Sequence, residues 1–170
     1  GANGVGGGIA NSAQNGNAAL TINQSQIISN TAKGVGGGGI SNNANNNRTA
    51  TVTLNQTIVS GNVATVTNAA TDVISTTGFG GGIRNSFFSG ATSGSAILTV
   101  NHSAISDNTA INGGGIANGT MTMTPTLRVT LDSSTVSGNT ASNYGSSNTS
   151  IGNGGGLLNQ NGMMTLVNST

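Results

Sequence analysis

The chain repeats one short glycine-rich element five times, and this repeat constrains the fold more than any other feature. Each copy reads Gly-Gly-Gly and then an aliphatic residue, with an asparagine two residues further on. The copies start at Gly6, Gly37, Gly80, Gly113 and Gly154. Self-similarity of this kind is the signature of a solenoid, in which each repeat buries its apolar face against its neighbours.

A second element follows each triglycine and begins with a segment of alternating residues. The segments read LTIN from Leu20, VTLN from Val52, LTVN from Leu98, VTLD from Val129 and MTLV from Met164. An apolar residue alternates with threonine, which is the pattern of a half-buried strand. No segment shows the three-and-four apolar spacing of an amphipathic helix. We therefore predict an all-β chain with about three short strands per repeat and no helix of note.

Stacked three-strand repeats predict a single-stranded parallel β-helix, a solenoid of about four to five coils that spans residues 1–170. The aliphatic residues of both elements are expected to fill its narrow core. These residues are Ile9, Ile40, Ile83, Ile116, Leu157, Leu20, Ile22, Val52, Leu54, Leu98, Val100, Val129 and Leu131. Asparagines at equivalent positions are expected to stack as structural ladders, since each amide can bond to the next and to turn backbone. One ladder comprises Asn11, Asn42, Asn85, Asn118 and Asn159, and the other comprises Asn30, Asn62, Asn108 and Asn139.

The two elements resemble the right-handed parallel β-helix repeats of bacterial surface proteins, in particular the polymorphic outer-membrane protein and autotransporter adhesin repeats. Those repeats pair a Gly-Gly-Ala-Ile-type element with a second element that ends in asparagine. Here the first element is Gly-Gly-Gly-Ile, and the second ends ISN, SGN or SDN. The resemblance covers nearly the whole chain, although the family's phenylalanine three residues before that asparagine is replaced by Ile27, Val59, Ile105 and Val136. It implies a right-handed winding and a secreted protein, extracellular or on a bacterial cell surface.

Composition argues against several classes of function. Charged residues make up 4% of the chain and the net charge is +1, so nothing favours nucleic acid as a partner. No apolar run is long enough to span a membrane, and the absence of cysteine excludes disulfides and thiolate metal sites. The acids Asp72, Asp107 and Asp132 occupy three different repeat positions, and His102 stands alone. We therefore expect no catalytic, cofactor-binding or metal-binding residues, and no enzyme activity.

The connections carry the individuality of each repeat. Their bulky residues form a candidate contact surface, which comprises Phe87, Phe88, Met121, Met123 and Tyr144. Insertions on one face of a solenoid often make contacts, but these segments could equally fold back over the sheet. The glycosylation-type sequences at Asn23, Asn55 and Asn101 share one repeat position, which favours a structural column over a glycan.

These patterns favour a non-catalytic structural segment of an extracellular surface protein, a stalk or fibre whose loops mediate adhesion. The expected partners are copies of the chain, end to end or lateral, or flanking β-helix coils. Surface glycans and host or cell receptors are further candidates. One alternative is a glycan-binding adhesin module with an exposed aromatic platform. The other is an ice-binding protein that uses its column of threonines, although a second threonine rank is missing from the sequence pattern.

Overall fold

The chain folds as a parallel β-helix of four and a half coils. The computed structural model describes residues 6–34, 36–65, 78–88, 90–119, 126–142 and 153–170. Within these ranges all regular structure is β-strand, and every paired strand is parallel to its neighbour. The predicted all-β parallel β-helix is therefore confirmed.

The strands that follow the triglycines form the first sheet, and the alternating segments form the second. Sheet one contains β1 (Ile9–Ala13), β5 (Ile40–Ala44), β9 (Ile83–Phe87), β13 (Ile116–Asn118) and β17 (Leu157–Asn159) in that order. Sheet two contains β2 (Ala18–Asn23), β6 (Thr49–Asn55), β10 (Ser95–Asn101), β14 (Thr126–Asp132) and β18 (Met163–Val167). The triglycines thus line up along one side of the rod.

Each complete coil carries four strands rather than the predicted three. Sheet three contains β3 (Gln26–Ile28), β7 (Ile58–Ser60), β11 (Ala104–Ser106) and β15 (Thr135–Ser137). Sheet four contains β4 (Thr31–Lys33), β8 (Val63–Thr65), β12 (Thr109–Ala110) and β16 (Thr140–Ala141). Strands of two or three residues are too short to show an alternating pattern, so their sequences did not reveal the fourth sheet.

The apolar interior is a single column of aliphatic side chains. Nine of the thirteen residues assigned to the core lie buried in one cluster, and the other four, Ile9, Leu20, Ile22 and Leu157, pack against it at the end coils. The cluster also takes in Ile27, Val59 and Ile105 from sheet three. Alternation along sheet two places its own aliphatic side chains inward and its threonines outward, as the burial pattern of its strands shows.

A second, smaller cluster fills the corner between sheets one and two. It is made of alanines, Leu127 and the aromatic ring of Phe87. Phe87 is in register with Ala44, so the third coil places a large side chain where its neighbour has a methyl group. This corner holds the connections from the first sheet to the second, and Ala91 of the third connection packs into the same cluster.

Two corners of the coil are built on left-handed backbone. Between sheets two and three, all five coils have a non-glycine residue with φ between 47° and 51°; these are Gln24, Gln56, His102, Ser133 and Asn168. Between sheets three and four the equivalent positions are Ser29, Gly61, Asp107 and Gly138. His102 and Asp107 are therefore exposed corner residues, placed by the turn of the coil.

Candidate functional site

The first asparagine ladder runs through the interior of the rod. In each step the side-chain Nδ2 of one coil donates to the Oδ1 of the next, at 2.8, 2.8, 2.8 and 2.9 Å from Asn11 to Asn159. Asn42 and Asn85 are fully buried. Their amides also donate to main-chain carbonyls of sheet two, as Asn85 does to Ala96 at 3.0 Å. The ladder therefore ties sheet one to sheet two and each coil to the next.

The second ladder lies at the corner between sheets three and four. The Oδ1 of Asn108 accepts from both the main-chain N and the Nδ2 of Asn62, at 2.9 and 3.0 Å. The same paired contact joins Asn30 to Asn62 and Asn108 to Asn139. One amide oxygen accepts from the corner backbone and from the neighbouring side chain, while the amide nitrogen donates. A residue that lacks either the acceptor or the donor therefore cannot replace this asparagine without the loss of a hydrogen bond.

A third column of asparagines is partly or fully exposed and runs in the opposite sense. The Nδ2 of Asn55 donates to the Oδ1 of Asn23 at 2.7 Å, and Asn101 donates to Asn55 at 2.9 Å. The column ends at Asp132, whose carboxylate accepts from Ser133. The amide nitrogens that a glycan would modify at Asn55 and Asn101 are thus already engaged in a structural column.

A hydroxyl column stands two residues further along the chain, and sequence reasoning missed it. The Oγ of Ser103 accepts from the main-chain N of Thr57 at 3.0 Å, and the Oγ of Ser134 accepts from that of Ser103 at 3.1 Å. Each hydroxyl in turn donates to the carbonyl two residues before it, at 2.7 Å for Ser103. The signal was present, because serine or threonine occupies this position in every coil: Ser25, Thr57, Ser103, Ser134 and Ser169.

The triglycines allow the backbones of successive coils to touch. A Cβ on the middle glycine Gly81 would fall inside contact distance of the Gly114 carbonyl oxygen, and one on Gly114 would meet Gly155 in the same way. A Cβ on the third glycine would strike the second ladder, at 3.0 Å from the Nδ2 of Asn108 in the case of Gly82. The second asparagine ladder can therefore pack as closely as it does only because the triglycines have no side chains.

The outward threonines of sheet two form a single column in register. Thr53 pairs with Thr99 in the next coil, and the column continues from Thr21 through Thr130 to Thr165. The neighbouring outward position is occupied by Ala19, Thr51, Ile97, Arg128 and Met163. A shorter column of hydroxyls, Thr49, Ser95 and Thr126, follows on the far side of that mixed position.

The candidate contact surface is not assembled as expected. Phe87 is 5% exposed and belongs to the corner cluster, so the expectation that it lies on an exposed surface is wrong. The adjacent Phe88 is half-buried. The other members, Met121, Met123 and Tyr144, lie outside the described residues. At Phe87 the structure shows the alternative that the sequence left open, in which the connection folds back and Ala91 packs into the same cluster.

The described titratable side chains do not converge. Asp132 ends a strand of sheet two, Asp107 sits at the corner between sheets three and four, and Asp72 lies outside the described residues. Within the described ranges, no three His, Cys, Asp or Glu side chains gather as metal ligands would. The described part of the chain also contains no helix able to span a membrane.

Arg84 is the exception among the charged residues, because its side chain is buried. It projects from β9 on the outer face of sheet one and is 6% exposed. Its guanidinium lies over the Phe79 ring, 5.8 Å from the centroid. Burial lowers the pKa of Arg84 to about 10. This burial could not be predicted from the sequence, since an arginine on the outer face of a strand is ordinarily solvated.

Known proteins offer no direct guide to this arrangement. No protein-family model, curated protein or solved structure matches the chain.

Proposed function

We propose that this chain is a non-catalytic structural segment, a rigid stalk or fibre element of an extracellular bacterial surface protein. The observation that supports the proposal is the continuity of the columns along the rod. Two asparagine ladders, a hydroxyl column and the aliphatic core each pass from coil to coil in register. Polar groups that are fully bonded in a dry interior resist local opening, because any opening exposes several unpaired groups at once.

The proposed mechanism is to hold two points of a larger assembly at a fixed separation. Adjacent parallel strands are about 4.8 Å apart, so the five strands of sheet two span roughly 19 Å. A flexible linker of the same number of residues has a broad distribution of end-to-end distances. The low charge and the internal satisfaction of polar groups suit a protein outside the cell, where no chaperone repairs a partly opened chain.

Pulsed electron–electron double resonance, which measures the distance between two spin labels, tests this rigidity directly. The chain has no cysteine, so the pair Thr21→Cys and Thr165→Cys takes two spin labels and no others. We expect one narrow distance distribution near 19 Å, broadened by the label arms. Duplicating residues 86–118, one coil of 33 residues by the ladder spacing, is expected to move the labels apart by about 5 Å. A broad distribution, or no change on duplication, would contradict the proposal.

The partners we propose for its ends are further coils of the same kind, either flanking coils or a second copy. Leu166 supports this, because it is in register with the fully buried Leu131 and yet is 48% exposed. Its column points inward, and another coil stacked on β18 would cover it. Sheets one and two have one more strand than sheets three and four, so this end of the rod is stepped.

Sedimentation and negative-stain microscopy separate the two kinds of partner. Concentration-dependent growth into uniform filaments, abolished by Leu166→Asn, would identify copies of the chain as the partner. Monomers at all concentrations would exclude filament formation and favour flanking coils. The matched control is Met163→Asn, which alters a side chain that is similarly exposed, at 53%, but belongs to the outward face.

Ice binding is the second candidate function, because the threonine column is in register across all five strands of sheet two. The mixed position beside it, with Ile97 and Arg128, interrupts the flat array of hydroxyls that such a surface requires. A thermal hysteresis assay tests this candidate. Activity that disappears when Thr99 and Thr130 are both replaced by tyrosine would support it, and absence of activity in the unaltered chain would exclude it.

A further inference from the structure

The outer face of sheet one contains a buried polar cluster that the rod function does not require. Every residue of β5 and β9 is buried, on both faces of the sheet. Ile40 and Asn42 point to the interior, so alternation places Ser41 and Asn43 on the outer face. On β9 the residues paired with them are Arg84 and Ser86. These four side chains, Ser41, Asn43, Arg84 and Ser86, are here called the outer polar cluster.

One nitrogen of the buried Arg84 guanidinium, Nε, lacks a hydrogen-bond partner among the described residues. The contact with the Phe79 ring supplies a cation–π attraction but no acceptor for the Nε hydrogen. Burial is the only cause that acts on its pKa, and the group remains protonated at neutral pH. An acceptor with a negative charge beside this guanidinium would satisfy the Nε hydrogen.

The rest of the cluster presents a further donor at the same place. Ser86 Oγ donates to Asn43 Oδ1 at 2.5 Å, and Asn43 Nδ2 donates to Ser41 Oγ at 2.7 Å. This chain of hydrogen bonds leaves the hydroxyl hydrogen of Ser41 to be donated onward. Ser41 is directly paired with Arg84, one strand away. Two neighbouring groups therefore have hydrogens to give and no acceptor among the described residues.

We propose that Arg84 and Ser41 form a binding site for a small oxyanion, a carboxylate or sulfate group. An oxyanion supplies several acceptor lone pairs and one negative charge, which complements the Nε hydrogen and the Ser41 hydroxyl together. The column position on the other side of Arg84 is Ala117, whose methyl group adds no competing acceptor. The oxyanion can be a free inorganic ion or part of an acidic sugar or peptide. The site recognises the oxyanion that these sources have in common.

Arginine Nε–H resonances give a direct reading of this site. The chain has three arginines, Arg48, Arg84 and Arg128, so their cross-peaks can be assigned by substitution. Titration with sodium sulfate, and separately with sodium acetate and sodium glucuronate, is expected to shift the Arg84 resonance saturably. The resonances of Arg48 and Arg128 are expected to move only with ionic strength. A sulfate response without a glucuronate response would restrict the site to free inorganic anions.

Variants decide between this site and an ordinary structural arginine. Arg84→Gln is expected to abolish the saturable response, and Ser41→Ala to weaken it roughly tenfold, the effect of losing one hydrogen bond to a charged group. Arg128→Gln is the matched control, because Arg128 is an exposed arginine on the outward face of β14, and it should change nothing. If Arg84→Gln does not fold, Arg84→Lys keeps the charge and is expected to bind more weakly because it loses the fork geometry.

The chain's own Asp72 is the competing source of a carboxylate, and one variant addresses it. In the proposed site Asp72→Asn binds sulfate as the unaltered chain does. Sulfate binding that appears only in Asp72→Asn would overturn the proposal, since it would show that an internal carboxylate already occupies the guanidinium. Arg84 resonances that do not shift in either protein would overturn it as well.

Discussion

The Nδ2 of Asn85 donates to the Oδ1 of Asn118 at 2.8 Å, although the two residues are 33 positions apart in the sequence. Asn85 is fully buried and Asn118 is 1% exposed, so this amide pair lies in the dry interior. The side chains thus repeat, inside the rod, the pairing that the backbones of β9 and β13 make. Each asparagine acts as donor to one coil and acceptor from the other, which makes the ladder sensitive to loss of any member.

Asn85→Ala is expected to lower the free energy of unfolding by roughly 2–4 kcal/mol, because it leaves buried groups on both neighbouring coils unpaired. The control is Asn55→Ala in the partly exposed column, where water replaces the lost partners and the expected cost is about 1 kcal/mol or less. Urea unfolding followed by circular dichroism measures both. Equal losses in the two variants would show that the interior ladder is not specially stabilising.

Three glycine-to-alanine changes separate steric contact from backbone strain. Gly114→Ala places a Cβ against the Gly155 and Thr140 carbonyl oxygens, and we expect it to prevent folding or cost more than about 3 kcal/mol. Gly61→Ala meets nothing closer than 3.6 Å, so its cost of about 1–2 kcal/mol reflects only the left-handed backbone.

Gly16→Ala is the neutral member of that series, since nothing lies within 4 Å of its Cβ. It is expected to leave stability unchanged or raise it slightly, by limiting the unfolded chain. The predicted order of urea midpoints is therefore Gly16→Ala, Gly61→Ala, Gly114→Ala, from highest to lowest. A destabilising effect of Gly16→Ala comparable with that of Gly114→Ala would contradict the packing described for the triglycines.

Asp132→Asn is expected to stabilise the chain by up to about 1 kcal/mol. Asn101 uses its amide nitrogen on Asn55, and its Oδ1 faces a residue in the next coil that has no amide to donate. An asparagine there would extend the exposed column by one hydrogen bond, worth about 1 kcal/mol before solvent competition. Thermal unfolding at neutral pH measures the gain, with Asp107→Asn at an exposed corner as the control. A loss of stability would show that the carboxylate serves some other contact.

The buried guanidinium makes stability depend on pH in the alkaline range. Burial lowers the pKa of Arg84 to about 10 in the folded state, so the unfolded chain binds the proton more tightly. The penalty is therefore fully present below about pH 10 and is progressively relieved as the pH rises above that value. In buffer without oxyanions, unaltered protein should gain stability relative to Arg84→Gln over that window. Parallel curves for the two proteins would mean that Arg84 is compensated in the folded state.

The asparagine ladders and the sheet-two strands could be foreseen because their signals recur in every copy. Asparagine follows each aliphatic residue at one spacing, and an apolar residue alternates with threonine in each second element. In-register stacking of repeats then requires equivalent residues to meet, so position in the repeat predicts contact. The side chains of the aliphatic core follow by the same reasoning, which is why Ile83 and Leu98 could be placed in the interior.

The remaining features depend on contacts that no single repeat encodes. Strands β12 and β16 have two residues each, too few for any periodicity to appear. The burial of Phe87 and Arg84 depends on what packs against the corner and the outer face of sheet one in the third coil alone. The left-handed corner carries Gln24 and Gln56, and glutamine rarely adopts this conformation, so nothing in the identity of these residues predicts the corner.

The spacing of the first ladder along the sequence is 31, 43, 33 and 41 residues, while its hydrogen bonds differ by no more than 0.1 Å. The stacking distance between coils therefore does not depend on how many residues each coil carries at its corners. We expect a foreign peptide of about ten residues grafted at Gly16, between β1 and β2, to be displayed at a known height without disturbing the neighbouring coils. One connection of such a molecule can therefore be exchanged, by evolution or by design, while the other connections keep their positions along the rod.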